Sequence, residues 1–406
     1  MNVPKLRFKD NNDNDYPNWV NSTIGKSGYF YYGKSAPKWS ITDTATTPCV
    51  RYGELYTTHN IIVKKIYSYT NIPKENLKFS TGNEVLVPRV GEEPLDFCKC
   101  CYLPFKDVAI GEMISVYNTK NNPLFISYMF NGTMKYKFAR LVEGGNVSNL
   151  YYSYLENISI NLPCLEEQNK IANFLTTVDK KITNLENTII SLENQKKGLL
   201  QQIFSQKLRF KDKNGNNYPN WEKKKLGDIG SFSRGGNLSK SDLSKKGTSC
   251  ILYGELYTYY NEFATEIKSK TLNTTNLVLS KKYDVLLPLS GETAEDISTC
   301  TCIFFDDIAL GSDLLIFRSS FFDGRFMSLL LKYKYKYKIA QIAQGKSIVH
   351  ISEKNIKNIN IKIPCIEEQQ NIADFILIFT KKLENQKAQL EHWKQIKKGL
   401  LQQMFV

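Results

Sequence analysis

The chain has 406 residues, 42% of them hydrophobic, and its 54 Lys and Arg against 40 Asp and Glu give a formal charge of +14 and a pI near 9.1. That length supports two or more domains with sizeable cores, and the basic balance favours a polyanionic partner, nucleic acid or an anionic membrane surface. No apolar run reaches the roughly 18 to 20 residues of a membrane span, no signal-peptide pattern follows Met1, and nine Cys in no even framework read as reduced thiols, so the expected location is the cytoplasm.

In chain order, residues 5–19 read KLRFKDNNDNDYPNW. Tyr29–Tyr32, Glu84–Val87 and Val108–Ile110 have the composition of short strands, and Phe125–Lys137 has helical character. Between them lie Gly, Pro and Asn turns, which predicts an α+β domain with a twisted sheet. The loop YYGKSAPKWS (31–40) carries Lys34, Ser35 and Lys38. Lysines, small hydroxyls and backbone amides on a loop suit phosphate and base-edge contacts, although an ordinary solvated loop has the same composition. Arg51, Tyr52 and Arg89 are further candidates, since a guanidinium can grip a guanine edge in two places. YGELYT at 52–57 fits a structural strand-turn equally well. Gly144-Gly145-Asn146 forms a third candidate loop. Asn121–Phe125 lacks the second proline of the Asn-Pro-Pro-aromatic motif of amino-methyltransferases and reads as a turn.

A long helix then opens. Pro163 precedes Glu166, Glu167 and Gln168, and acidic residues at a helix N-terminus favour its dipole. The apolar seam Ile171, Leu175, Val178, Ile182, Leu185, Ile189, Leu192, Lys196, Leu199, Ile203 alternates fours and threes, the heptad spacing of a coiled coil.

The chain then repeats itself. Residues 207–221 match 5–19 at twelve of fifteen positions, YGELYT recurs at 253–258, and 365–405 match 164–204 at 18 of 41. An offset of 200 to 202 is far longer than a solenoid repeat and signals a duplicated domain. Strands are expected at Asp284–Leu287 and Ile308–Leu310, and helix over Phe326–Ile342. Candidate DNA contacts in this half are Arg234, Asn237, Lys240, Tyr253, Lys346 and Ser347. Lys332–Lys338 interleaves Lys with Tyr, a pattern that can track a phosphate backbone or simply face solvent. The second seam runs Ile372, Ile376, Phe379, Leu383, Gln386, Leu390, Trp393, Lys397, Leu400, Met404. Lys196 and Lys397 interrupt the seams at equivalent places, which sets register or lets the amines snorkel.

The predicted organisation is a first globular domain at 1–162, a spacer helix at 163–206, a second globular domain at 207–363 and a spacer helix at 364–406. The helices can pair with each other or with another chain. Intrachain antiparallel pairing needs no partner, and it would give a pseudo-twofold molecule with a rigid spacer.

Catalytic patterns are missing. Only His59, His350 and His392 occur, none at matching positions of the two halves, and no nucleophile–base arrangement is readable. Cys98, Cys100, Cys101, Cys300 and Cys302 lack zinc-site spacing and read as buried strand cysteines rather than a metal site. No Lys-containing phosphate loop is present. A coiled-coil scaffold, or a recognition part fused to a methyltransferase or restriction enzyme, are the competing readings.

The alternation of globular and helical parts, the P-x-x-E-E-Q helix starts, the K-K-G-L-L-Q-Q-x-F helix ends and the K-L-R-F-K-D…Y-P-N-W entries together resemble the specificity subunits of type I restriction–modification systems. The resemblance spans essentially the whole chain. It implies a non-catalytic DNA-binding subunit in which each globular half reads one part of an interrupted target and the helices set the gap. It also implies two modification subunits that methylate adenine and restriction subunits that cut. S-adenosylmethionine, ATP and Mg would then belong to those partners, with no cofactor in this chain.

Overall fold

The computed structural model describes residues 4–145, 147–345 and 348–405. The chain divides into two units, Met1–Asn187 with Ala388–Val406, and Thr188–Lys387.

In the first unit a four-stranded sheet has the order Gly28–Tyr32, Ile114–Thr119, Glu84–Pro88, Cys101–Leu103, with antiparallel neighbours. A second sheet runs Ser68–Thr70, Thr47–Val50, Lys106–Ile110, Phe79–Thr81, and its middle pair is parallel. Side chains alternate across a strand, so the central strands serve two cores. Leu86, Ile114 and Val116 fill the layer between the sheets with Val50 and Ile110. Val85, Val87 and Tyr117 face the other way, onto Phe125, Tyr128 and Met129 of the helix Pro123–Asn131. Burial on both faces explains why these strands read as continuous apolar runs.

The second unit repeats this plan. Ser231–Arg234, Leu314–Arg318, Val285–Pro288, Thr301–Ile303 and Phe263–Ala264 form one sheet, and a second five-stranded sheet centres on Thr248–Ile251. Leu315 and Phe317 pack on Phe326 and Leu330 of the helix Gly324–Tyr333, whereas Leu314 and Ile316 lie between the sheets. The α+β class is therefore as expected, as are strands at Tyr29–Tyr32, Glu84–Val87 and Val108–Ile110.

Two helical expectations need correction. Phe125–Lys137 is two helices, Pro123–Asn131 and Lys135–Ala139, parted at Gly132, and Phe326–Ile342 splits into Gly324–Tyr333 and Lys336–Gln341. The Asn121–Phe125 segment is a helix start, not a free turn: the Asn122 side chain accepts from Phe125 N at 2.9 Å and Pro123 occupies the first turn.

The long helices run over Leu165–Phe204 and Ile366–Met404. Within the first unit their segments are antiparallel, because Asp179 pairs with Lys397 and Glu186 with Lys394. Within the second unit Glu193 pairs with Lys387, and Leu200 and Ile203 share a core with Ile372 and Ile376. Ile171, Leu175, Ile182, Leu192, Ile372 and Leu383 are buried as the heptad requires. The seam slips at the helix ends. Leu200, at 2% exposure, replaces Leu199 in the core, while Leu390 and Leu400 are half-buried. The slip has a physical cause. Beyond Lys196 the first helix packs on a globular core through Leu200, Ile203 and Phe204, so the buried stripe follows that surface.

The same clamp fastens each helix start. Glu167 and Glu368 are fully buried, and each takes a bidentate guanidinium. Arg7 Nε and Nη2 reach the two oxygens of Glu167 at 3.0 and 2.7 Å, and Arg209 reaches those of Glu368 at 2.8 and 2.7 Å. Each Arg also donates to the carbonyl of its Tyr-Pro pair, Pro17 at 2.8 Å and Pro219 at 2.7 Å. Gln168 and Gln369 donate back to Pro163 O and Pro364 O. The E-E-Q and K-L-R-F-K-D…Y-P-N-W motifs are thus two halves of one lock, beyond the helix-dipole role expected for the glutamates.

Candidate nucleic-acid interface

In each unit one tight turn gathers the segments that carry most of the candidate residues. In the first unit the turn is Gly111–Met113: Gly111 N donates to Val50 O at 2.9 Å, Glu112 N to Ser35 O at 2.8 Å, and Arg89 N to Met113 O at 3.0 Å. In the second it is Gly311–Asp313: Gly311 N donates to Ile251 O at 2.9 Å, Ser312 N to Leu238 O at 3.0 Å, and Leu289 N to Asp313 O at 2.7 Å. The frame therefore occurs twice, with one bond shifted by a residue because Leu238 is the counterpart of Ala36, and the side chains on it differ.

The loop that crosses this turn depends on glycine. A Cβ on Gly33 would lie 2.1 Å from Gly111 O, and one on Gly235 would lie 1.9 Å from Gly311 O. Neither carbonyl can retreat, because each belongs to the hydrogen-bonded turn. Past the crossing, Ala36 and Leu238 plug small cores and pin the loops down. Lys34 and Lys38 project from the first loop, and Arg234, Asn237 and Lys240 from the second, all exposed. Ser35 is half-buried in the left-handed region at φ 63°.

The turn bonds Ser35 and Arg89 and lies next to Lys34 and Arg51 in the first unit; in the second it bonds Leu238, next to Asn237, and Ile251, two residues before Tyr253. Lys38 and Lys240 open short 3-10 turns further along and make none of the hydrogen bonds that hold the frame. Arg89 is not a free cation. Its guanidinium lies 4.4 Å from the ring centre of Tyr32 and 5.6 Å from that of Tyr151. Its counterpart Leu289 is buried. Lys346 and Ser347 lie outside the described residues, as does Asn146. The strands that follow them in sequence join the same frame: Ser148–Asn149 pairs with Val90–Gly91, and Val349–His350 with Ser290–Gly291.

YGELYT forms a short helix rather than a strand-turn, Tyr52–Thr57 in the first unit and Glu255–Thr258 in the second, and its glutamate is scaffold. Glu54 accepts from Arg51 N at 2.7 Å and Ser68 Oγ at 2.7 Å, and Glu255 accepts from Leu252 N at 2.8 Å and from Ser269 Oγ. Tyr52 is more than a third exposed at the start of this helix, and Tyr253 packs edge-on to Tyr257. The Lys332–Lys338 run is mostly scaffold as well. Lys332 reaches Asn261 Oδ1, Tyr333 bonds Glu262, Lys334 caps Phe204 O at 2.6 Å, and Tyr335 is buried, which leaves Tyr337 and Lys338 facing solvent.

Sequence reasoning missed Trp39, 73% exposed beside Lys38, although an aromatic next to a lysine on a glycine loop was a readable sign. It also missed a side-chain network in the second unit. Ser290 Oγ lies 2.9 Å from His350 Nδ1 and 3.0 Å from Asp313 Oδ2. This is not an activated nucleophile, because the carboxylate holds the serine rather than the imidazole. His59 is half-buried against Tyr67, and burial lowers its pKa. Burial also pushes the Cys300 thiol up to about 12 and that of Cys250 up to about 11, away from the thiolate a metal or nucleophile needs. Among the described residues no cluster of three His, Cys, Asp or Glu can hold a metal, and no helix is long and apolar enough to cross a membrane.

The sequence profile of the type I restriction modification DNA specificity domain matches residues 9–194 and again 218–392. The type I restriction enzyme MjaVIII specificity subunit of Methanocaldococcus jannaschii is 24% identical over 317 residues, 74% of this chain and 74% of that protein. The putative MjaX specificity subunit of the same organism is 25% identical over 298 residues, 70% of this chain and 67% of that one. The crystal structure of a type I restriction–modification S subunit from M. genitalium has the same fold, with a TM-score of 0.63 at 17% identity over 100% of this chain and 99% of that one. With its profile matched twice, the chain belongs to the type I restriction–modification DNA specificity family, whose members are non-catalytic subunits that recognise DNA through two domains.

Proposed function

We propose that each unit presents its glycine-crossed loop and adjoining turn to one part of an interrupted DNA target, and that the paired helices set the gap. One observation carries this reading: the frame of three backbone hydrogen bonds occurs in both units, while the side chains mounted on it differ. A repeated frame with changed side chains suits two different short sequences read in the same manner. Lys34, Lys38, Arg234 and Lys240 supply the phosphate contacts that position such a surface, and Ser35, Arg51, Asn237 and Tyr253 stand where base edges would be read. Lys346 and Ser347 belong to the same proposal by sequence. In the complete assembly two methyltransferase subunits dock on this chain and restriction subunits join them. S-adenosylmethionine, ATP and Mg sit on those partners, and the complex works in the cytoplasm.

The test is co-expression with the modification subunit of the same operon, followed by genome-wide mapping of methylated adenine. An interrupted two-part motif is expected. Its absence from a soluble, assembled complex overturns the proposal. Within that complex, replacing Lys34, Lys38 and Lys240 by Gln should weaken binding over all sequences. Each lost phosphate contact should also flatten the slope of log affinity against log salt by about one. An unchanged slope would place these loops away from the DNA.

A further inference from the structure

We propose that His350 is a base-reading residue of the second unit, locked in one tautomer by Ser290 and Asp313 so that its Nε2 accepts a hydrogen bond from the exocyclic amino group of an adenine or cytosine. The inference rests on the reading of the turn as the DNA-facing surface.

The proton count fixes the tautomer. A carboxylate only accepts, so the single hydroxyl proton of Ser290 goes to Asp313 Oδ2, 3.0 Å away. The serine oxygen then has lone pairs left and no second proton. His350 Nδ1, 2.9 Å away, must therefore donate to it. In a neutral imidazole the proton on Nδ1 leaves Nε2 as an acceptor. Among the described residues Nε2 has no hydrogen-bond partner. The strand Val349–His350 turns Val349 inward and His350 outward, as alternation along a strand requires.

Position supports the same conclusion. Asp313 is part of the turn that anchors the Arg234–Leu238 loop, and Ser290 follows Leu289, whose backbone N is bound to that turn. The network is peculiar to this unit. Strand pairing sets Val90 opposite Asn149 in the first unit where Ser290 stands opposite His350 in the second, and Met113 occupies the place of Asp313. In the first unit Asn149 stands in the place of His350, and Arg89, the counterpart of the buried Leu289, packs on Tyr32 and Tyr151.

The experiment uses the full chain in complex with its modification subunits and a plasmid library in which the mapped target is randomised one base pair at a time. Wild type should fix one base pair of the second half-site as a letter that presents an amino group. His350→Ala should relax that letter alone, cutting discrimination there about five- to tenfold. Ser290→Ala leaves the imidazole in place but frees its tautomer, and it should relax the same letter. If His350→Ala leaves the motif unchanged, or weakens all sequences equally, His350 is not a reader. Asn237→Ala and Tyr253→Ala, at the two base-edge positions of this unit, separate this inference from the reading of the turn. If they alter letters while His350→Ala does not, only this inference falls. If they and His350→Ala all leave every letter intact, the turn is not the reading surface and both readings fall.

Discussion

At the scale of single residues, the glycine crossings hold the candidate loops and the Arg–Glu clamps hold the helix starts, and each predicts a measurable loss. Gly33 and Gly235 pass so close to Gly111 O and Gly311 O that no Cβ fits. Gly33→Ala and Gly235→Ala must push the loop off its turn, an overpacking that costs about 1–3 kcal/mol. The loop is pinned beyond the crossing by Ala36 or Leu238, so the sheets should survive. DNA affinity should fall in the unit that carries the change, with circular dichroism unaltered; full affinity would show that loop position is irrelevant. The Arg–Glu clamps make the second case. Arg7 and Arg209 are mostly buried, and Glu167 and Glu368 lie at 0–1% side-chain exposure. Removing Arg209 would leave the buried Glu368 carboxylate without its cationic partner. Arg209→Ala should therefore cost about 3–5 kcal/mol in urea unfolding. Lys9→Ala, which breaks only an exposed pair with Asp13, should cost less than about 1 kcal/mol.

At the scale of elements, the seam lysines show how duplicated halves diverge while keeping a role. Lys196 and Lys397 occupy equivalent places, but their counter-charges come from different elements. Lys397 pairs with Asp179 on the opposing helix at 2.7 Å. Lys196 instead pairs with the buried Glu262, beside Thr380, which stands where the first half has Asp179. Ile61 takes the place of Glu262 in the first half, so the carboxylate has moved from helix to loop and each lysine keeps one. Neither lysine simply snorkels. Burial pushes the Glu262 pKa up, but Lys196 and Lys332 pull it down further, and the net shift is downward. A depressed folded value means that its stabilisation is complete above the unfolded carboxyl value of about 4.3 and is lost as the pH falls through the folded value. Lys196→Met should destabilise the protein by about 3–5 kcal/mol, and Lys196→Met/Glu262→Gln should recover most of the loss. A double variant as unstable as the single one would mean that the pair is not the cause. These elements also mark how far sequence could be read. The duplication, the strands and the buried heptad positions were legible because periodicity follows directly from burial. The slip from Leu199 to Leu200 and the breaks at Gly132 and in Lys332–Lys338 were not, because they depend on the surfaces those residues meet. The Arg7–Glu167 clamp was visible only as two separate motifs about 160 residues apart, and the turn that bonds Ser35 and Arg89 next to Arg51 had no local signal.

At the scale of the whole molecule, the length of the helices becomes a quantity that the DNA can test. Helices of 40 and 39 residues rise about 1.5 Å per residue, roughly 60 Å each. Within the first unit Asp179–Lys397 and Glu186–Lys394 tie the two helix segments, and within the second Glu193–Lys387 does so. Adding seven residues at matched midpoints of both helices keeps the seam on nearly the same face, since two turns of α-helix drift by only about 20°. The insertion lengthens each helix by about 10.5 Å, close to three base pairs of B-form DNA at about 3.4 Å each. Three base pairs also turn one half-site by about 100° relative to the other, given 10 to 10.5 base pairs per turn. The lengthened protein must therefore choose between distance and angle. If the helices set the gap, the methylated motif should keep both sets of letters, its gap should change, and affinity for the best site should fall because both constraints cannot be met at once. If the original gap persists at full affinity, the spacing is fixed by contacts among the partner subunits, and the helices of this chain serve only to join its two reading units.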